Sequence, residues 1–373
     1  MAVWRRVAAA TLAAAVTLAG TACTGTREGR SGAVGASAGA PATFRPGADG
    51  IGDPYFPRYG NGGYDVGHYA LKVRYDPAAD QLSGTAVITA KATADLSRFN
   101  LDLAGLTVRQ VTVDGRAARH ERTGDELVVT PASGVPTGVT FTVQVTYDGK
   151  PAGLSRPGLG ATGFLHTTDG AIAIGQPESA TTWYPVNDHP LDKATYAIEI
   201  TAPEPLAVLS NGVLAATTRS AGWRTARWEV RSPMASYLST LAIGDYRVVV
   251  GRHKGKPMVT AVAASLPRGP ADTAIARTGE VADFLEQRFG PYPFDSYGGI
   301  VIDDERVAFA LETRPGRCTR RRSSSAARTG SWRTRSPTSG SGTASRSSIG
   351  RTSGSTRASP PMASGCGSST TPV

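Results

Sequence analysis

Apolar and polar side chains alternate with a period of two along most of the chain from residue 62 to residue 250. YDVGHYALKVRYD (64–76), LSGTAVITAKAT (82–93), LTVRQVTVDG (106–115), ELVVTPA (126–132) and VTFTVQVTYDG (139–149) each set apolar residues at every second position. Asp-Gly, Pro and Gly breaks separate them, so each predicts a strand with one face in a core. DKATYAIEITAP, AVLSNGVLAATT, RTARWEVRSP and DYRVVVGRHKG continue the pattern to residue 255. No helix-period segment intervenes between strands. The expectation is a mainly β fold, an antiparallel sandwich-like or saddle-shaped domain with a substantial core.

After Pro267 the period changes. In GPADTAIARTGEVADFLEQRFG (269–290) the apolar positions Ile275, Ala282, Leu285 and Phe289 fall near helical spacing, with Pro270 near the start and Gly290 at the end. This predicts a helix. PYPFDSYGGIVIDD then reads as a turn and a buried strand, the opening of a mixed α/β domain. From Arg314 to Val373 no period is left.

Charge sharpens that break. The whole chain carries +10, but 11 of its 40 Lys and Arg lie in 314–373, a stretch with no Asp or Glu. The remaining 29 basic and 30 acidic side chains leave the first 313 residues at −1. A balanced folded part gives no electrostatic footprint for nucleic acid. The tail, rich in Ser, Gly and Thr and poor in aliphatic residues, cannot offset its ordering entropy and is expected to be disordered.

The first residues add a location. Arg5 and Arg6 precede an apolar run, Val7–Leu18, too short to span a bilayer, and small residues in LAGTAC lead to Cys23. That is a secretion signal. It resembles a bacterial lipobox, which implies lipidation of Cys23 and anchoring on the outer face of a membrane; plain cleavage near Ala22, giving a secreted protein, is the alternative. Residues 24–60 read as a flexible tether. Cys318 and Cys366 lie in the tail, so the folded part has no disulfide to rely on.

Candidate chemistry is sparse. Asp303, Asp304 and Glu305 form a carboxylate run typical of a surface turn, and Asp188–His189 falls in a loop. His68, His120, His166, His189 and His253 show no metal-ligand spacing and read as structural. No nucleophile elbow or phosphate-binding Gly loop is predicted: GASAG (35–39) fits GxSxG only within the tether, and GLGATG (158–163) fits GxGxxG only between strand-like segments, with no helix following either.

Three stretches in succession carry more: GQPESATTWYPVNDHPLDKATYAIEITAP (175–203), PMASYLSTLAIGDY (233–246) and FLEQRFGPYPFDSYGGIVIDDERVAFALET (284–313). In order and spacing they resemble the aminopeptidase N family, zinc metallopeptidases with a thermolysin-like catalytic domain. The resemblance covers roughly residues 60–313. It implies a β-domain over 61–250 and the start of a catalytic domain over 251–313. The family's Gln-x-Glu element maps onto Gln176 and Glu178. Its Gly-x-Met-Glu-Asn element maps onto 309–313, keeping Ala310 and Glu312 and departing at Phe309, Leu311 and Thr313. The implied role is capture of a peptide's N-terminal ammonium by two carboxylates through charge-assisted hydrogen bonds. Apart from the resemblance, both acids read as ordinary loop or strand-end residues.

The family's zinc motif, HExxH followed after eighteen residues by Glu, is not in the sequence. The tail nevertheless hides it. TRSPTSGSGT (334–343) permits a coding sequence that, taken one base earlier, spells HEVAHQWFGD; TSGSTRASPPMASGCG (352–367) likewise permits DIWLNEGFATYGEWLW. The second histidine overlaps Thr338 and the glutamate Arg357, with eighteen positions between them. The expectation is a frame slip near Thr313–Arg314. The chain as written is then a zinc aminopeptidase truncated before its metal ligands, binding no zinc and inactive. The alternative is a non-catalytic β-rich surface lipoprotein that binds peptides or amines. A basic tail that binds anionic cell-wall polymers rests on arginine content alone.

Overall fold

The computed structural model describes residues 43–156, 160–307, 310–313 and 316–320; the signal and Cys23, Phe309, and the tail beyond Arg320 lie outside them. The chain enters at β1 (Arg45–Pro46) and runs into the long hairpin of β2 (Tyr64–Asp76) and β3 (Gln81–Ala92). β4 (Leu96–Asp102), β5 (Thr107–Val113), β6 (Arg116–Ala117), β7 (Arg119–Thr123), β8 (Glu126–Thr130) and β9 (Thr140–Gly149) follow. Next come β10 (Leu154–Arg156), β11 (Gly160–His166), β12 (Ala171–Ile174), β13 (Lys193–Pro203) and β14 (Ala207–Ser210). β15 (Val213–Ser220), β16 (Trp223–Ala235), β17 (Thr240–Gly244), β18 (Tyr246–His253) and β19 (Lys256–Ala263) complete the run of strands. Two helices, α1 (Pro270–Ala276) and α2 (Thr278–Phe289), lead to β20 (Tyr297–Ile302), β21 (Leu311–Thr313) and β22 (Gly316–Arg320).

The expected mainly β architecture is present, and the alternation explains it. Along β2 the inward residues are Tyr64 and Val66, then Tyr69, Leu71, Val73 and Tyr75. The alternation resets at a bulge where the register to β3 shifts between Val66 and His68. An unpaired extra residue there returns the next apolar side chain to the core. The eight-stranded sheet has the order β15-β16-β13-β2-β3-β9-β5-β6. It is antiparallel except at its centre, where β2 and β13 run parallel. Period alone cannot reveal that reversal, because it is set by a crossover of more than a hundred residues between the two strands.

A second sheet, β10-β11-β12-β17-β14, carries AIAI in β12 and TLAIG in β17, buried at every position. Strands covered on both faces read as unbroken apolar runs. The core they share includes Trp183, Tyr184 and Val307 and reaches Ile300, Ile302 and Leu311 of the last sheet, whose order is β18-β19-β20-β22-β21. That sheet begins at Tyr246, just ahead of residue 251.

Three differences from the sequence reading have local causes. The stretch read as a tether joins the fold from Arg45: Arg45 N donates to Asp95 O (2.9 Å), Gly47 N to Arg98 O (2.8 Å), and Asn61 N to Asn187 Oδ1 (2.6 Å). Composition hides these long-range partners. The single expected helix is two, parted at Arg277, whose φ of −82° and ψ of 8° end α1. Gly290, at φ 88°, ends α2 as expected. Finally, Gly316–Arg320, read as disordered with the rest of the tail, forms β22 parallel to β20 and antiparallel to β21. The backbone groups along β20 need partners, and the next length of chain supplies them.

The apolar stripe of α2 is largely uncovered. Ala282 is buried, but Val281, Phe284, Leu285 and Phe289 are 50%, 52%, 39% and 84% exposed.

Candidate amine-binding site

Gln176 and Glu178 lie where β12 leaves the core. Gly175 is required there because a Cβ would meet Tyr237 O at 2.6 Å. The Gln176–Pro177 bond is cis. Ser179 N donates to Gly175 O (2.6 Å), closing the turn that carries Glu178, and a single 3-10 turn, Ala180–Thr182, follows. The Thr182 hydroxyl donates to Ser179 O (2.7 Å) and accepts from Phe164 N (2.9 Å), tying this turn to β11. On the same strand, the Thr162 hydroxyl lies 2.6 Å from Gln176 O and 2.8 Å from Ile174 O. Glu178 is thus set on a turn whose backbone is held at several points.

Its carboxylate is buried, with 7% of the side chain exposed, and Arg156 Nη2 lies 2.5 Å from its Oε1. The contact is a close ion pair without an aligned hydrogen bond: among the described residues neither Glu178 oxygen nor Arg156 Nε has a hydrogen-bond partner. Tyr59 reaches the site from the N-terminal segment. Burial and then the charge of Glu178 push the Tyr59 hydroxyl above its ordinary range. Arg156 and Tyr59 escaped the sequence reading because they lie far from Glu178 in the chain; only a search for a buried acid's partners finds them.

Glu312 lies in β21 of the last sheet and Ala310 just before it, and no described contact joins either to Glu178. Val307 bridges Gly160, the residue that pairs with Arg156 across the β10–β11 hairpin. The hairpin therefore touches Glu178 through Arg156 and Val307 through Gly160. Ala310 is exposed, and Glu312 is at a β21 position opposite Arg317 of β22.

The other candidates are held within the scaffold. Asp188 is buried; its Oδ1 accepts from the Ser236 hydroxyl (2.7 Å), and its Oδ2 accepts from Thr181 N (3.3 Å). Burial pushes its carboxyl up to about 7. His189 Nδ1 accepts from Leu191 N (3.1 Å), which leaves Nε2 to donate to Asp53 Oδ2 at 3.2 Å. His68, His166 and His253 engage Thr195, Tyr75 and Asp283. Asp304 binds Arg306, and Asp303 accepts from Ser265, as turn acids do. Among the described residues no three His, Cys, Asp or Glu side chains are placed together to hold a metal ion. This donor set does not fit zinc.

Residues 66–238 match the Peptidase M1 N-terminal domain. Among solved structures, the chain is similar to a mutant M1 zinc metallopeptidase from Deinococcus radiodurans bound to a Tyr-Ser-Ala substrate. The two share 29% identity over 72% of this chain and 63% of that one, with a TM-score of 0.66. A two-domain M1 zinc metallopeptidase mutant bound to L-tryptophan matches at 28% identity over 72% and 63% of the two chains, TM-score 0.65. The form bound to L-arginine matches at 27% over 73% and 63%, TM-score 0.66. The chain spans 63% of the length of these relatives. The buried Glu178 turn lies inside residues 66–238, which match the peptidase M1 N-terminal domain, and over that domain the chain is similar to M1 zinc metallopeptidases.

Proposed function

We propose that this chain is the peptide-docking part of an exported, lipid-anchored zinc aminopeptidase, with Cys23 as the lipidated residue and the sequence from about Arg314 read out of frame. Glu178 would accept hydrogen bonds from the N-terminal ammonium of a peptide, with Gln176, Ala310 and Glu312 around it. Removal of N-terminal residues belongs to the complete enzyme, where zinc supplies the activated water. The observation that carries the reading is the buried carboxylate of Glu178 on its braced turn, paired with Arg156 of the hairpin that Val307 bridges at Gly160. A carboxylate in a dry recess binds a free ammonium strongly and a blocked amine poorly.

As written, the chain has no HExxH, and its described residues offer no zinc ligand set. It is therefore expected to release no product from an aminoacyl p-nitroanilide, with or without added Zn²⁺. Zinc-dependent turnover by the 373-residue chain would overturn this. Sequencing the DNA across codons 305–340 tests the frame slip: an HEVAH codon series one base out of step supports it, and its absence sinks it. Lipidation is tested by mass spectrometry of the mature N-terminus. The missing motif also favours a second reading, a surface lipoprotein that captures peptide amines without cleaving them. That reading gains if the DNA carries no HEVAH series and the chain still binds an amino-acid amide.

A further inference from the structure

A buried carboxylate is ordinarily held by several aligned donors, since each oxygen keeps acceptor capacity that burial would otherwise waste. Glu178 lacks them. Among the described residues its close charged partner is Arg156, and that contact is not an aligned hydrogen bond. Arg156 belongs to β10, three residues long, which among the described residues forms one edge of its sheet and pairs with β11. Its side chain is 34% exposed against 7% for Glu178, so Arg156 reaches solvent where Glu178 does not. A peptide ammonium arriving at Glu178 meets a cation already there, and one carboxylate does not pair two adjacent cations without their repulsion.

We propose that Arg156 is an internal occupant of the amine site: its guanidinium holds the Glu178 carboxylate, and a ligand with a free α-amine binds by displacing it. This rests on the reading of Glu178 as the amine anchor. Arg156 then sets affinity and selectivity, because weak cations fail to displace it.

The test is calorimetric titration of the full chain and its variants with L-leucinamide, and with N-acetyl-L-leucinamide as the blocked-amine control. R156M keeps the length of the side chain without its charge and is expected to bind leucinamide at least ten-fold tighter than the parent chain. R156K keeps a competing cation and is expected to stay within about three-fold of the parent, where a tenfold change corresponds to 1.4 kcal/mol. E178Q is expected to abolish binding, and the acetylated control to bind none of the proteins. If the parent chain binds and R156M binds equally or more weakly, the displacement is wrong while the amine anchor stands. If neither the parent nor a folded R156M binds, the anchor itself is wrong and the displacement falls with it. Should R156M be too unstable to titrate, ligand-induced thermal shifts of R156Q and the parent chain decide. A larger shift for R156Q supports displacement and an equal or smaller one overturns it.

Discussion

Asp188, buried close to Glu178, makes the structure's clearest demand on pH. Its carboxyl is pushed from 3.8 up to about 7, first by burial; the charges of Asp102 and Glu178 add to that, while the hydrogen bond from Ser236 opposes it. The folded-state value lies above the unfolded one. The folded chain therefore keeps a proton that the unfolded chain has already released, and stability falls as pH rises between about 4 and 7. Each pH unit within that window costs about 1.4 kcal/mol, so moving from pH 5.5 to 7 removes roughly 2 kcal/mol through Asp188 alone. Asp192, also raised to about 7 by burial, acts in the same direction, as do the facing pair Asp102 and Glu126. His68, whose burial lowers its imidazole below 6.5, acts with the opposite sign. Comparison with Asp188→Asn removes these shared contributions. Asparagine keeps the acceptor for Ser236 but not the one for Thr181 N, so the variant loses about 1 kcal/mol at pH 5.5. Its stability should then fall with pH by about 1.4 kcal/mol per unit less than the parent's. Urea unfolding followed through the fluorescence of buried Trp183, at pH steps from 5 to 8, gives both slopes. Parallel slopes for parent and variant would refute the reasoning.

Three further outcomes follow from packing and contacts. Trp183 is fully buried and meets Tyr184 edge to face at 4.5 Å, so Trp183→Ala should cost about 3–5 kcal/mol in urea unfolding. Arg247 pairs with Asp272 at the start of α1 and donates to the carbonyls of Ala263, Ala264 and Leu266. Arg247→Ala should speed amide exchange in 263–276 and cost roughly 1.5–3 kcal/mol. The exposed stripe on α2 predicts that Phe284→Lys with Phe289→Lys leaves unfolding within about 0.5 kcal/mol of the parent while reducing binding of a hydrophobic dye. Unchanged dye binding would place the sticky surface elsewhere.

Much of the β-domain was legible because a half-buried strand must alternate, and β2, β3, β9 and β13 do so over ten or more residues each. The doubly covered strands β12 and β17 betray themselves as short apolar runs. The helical stretch was harder. Its apolar spacing is real, yet Phe289 points to solvent, and the break at Arg277 is a backbone event that side-chain pattern does not mark. At the candidate site, Glu178 could be named from a motif, whereas Arg156 and Tyr59 carry no local signal.

Taken alone, the sequence determined the fold class, the change of character near residue 267, the loss of pattern at Arg314 and the absence of a zinc motif. All of these are properties of neighbouring residues: period, composition and spacing. Tertiary structure alone decided that β2 and β13 run parallel, that the 45–61 segment is pinned to the loop at Asn187, and that Arg156 already occupies the carboxylate of Glu178. Those contacts join residues tens to more than a hundred positions apart. Their free energies come from desolvation and charge pairing in a folded interior, which no local window of the chain contains.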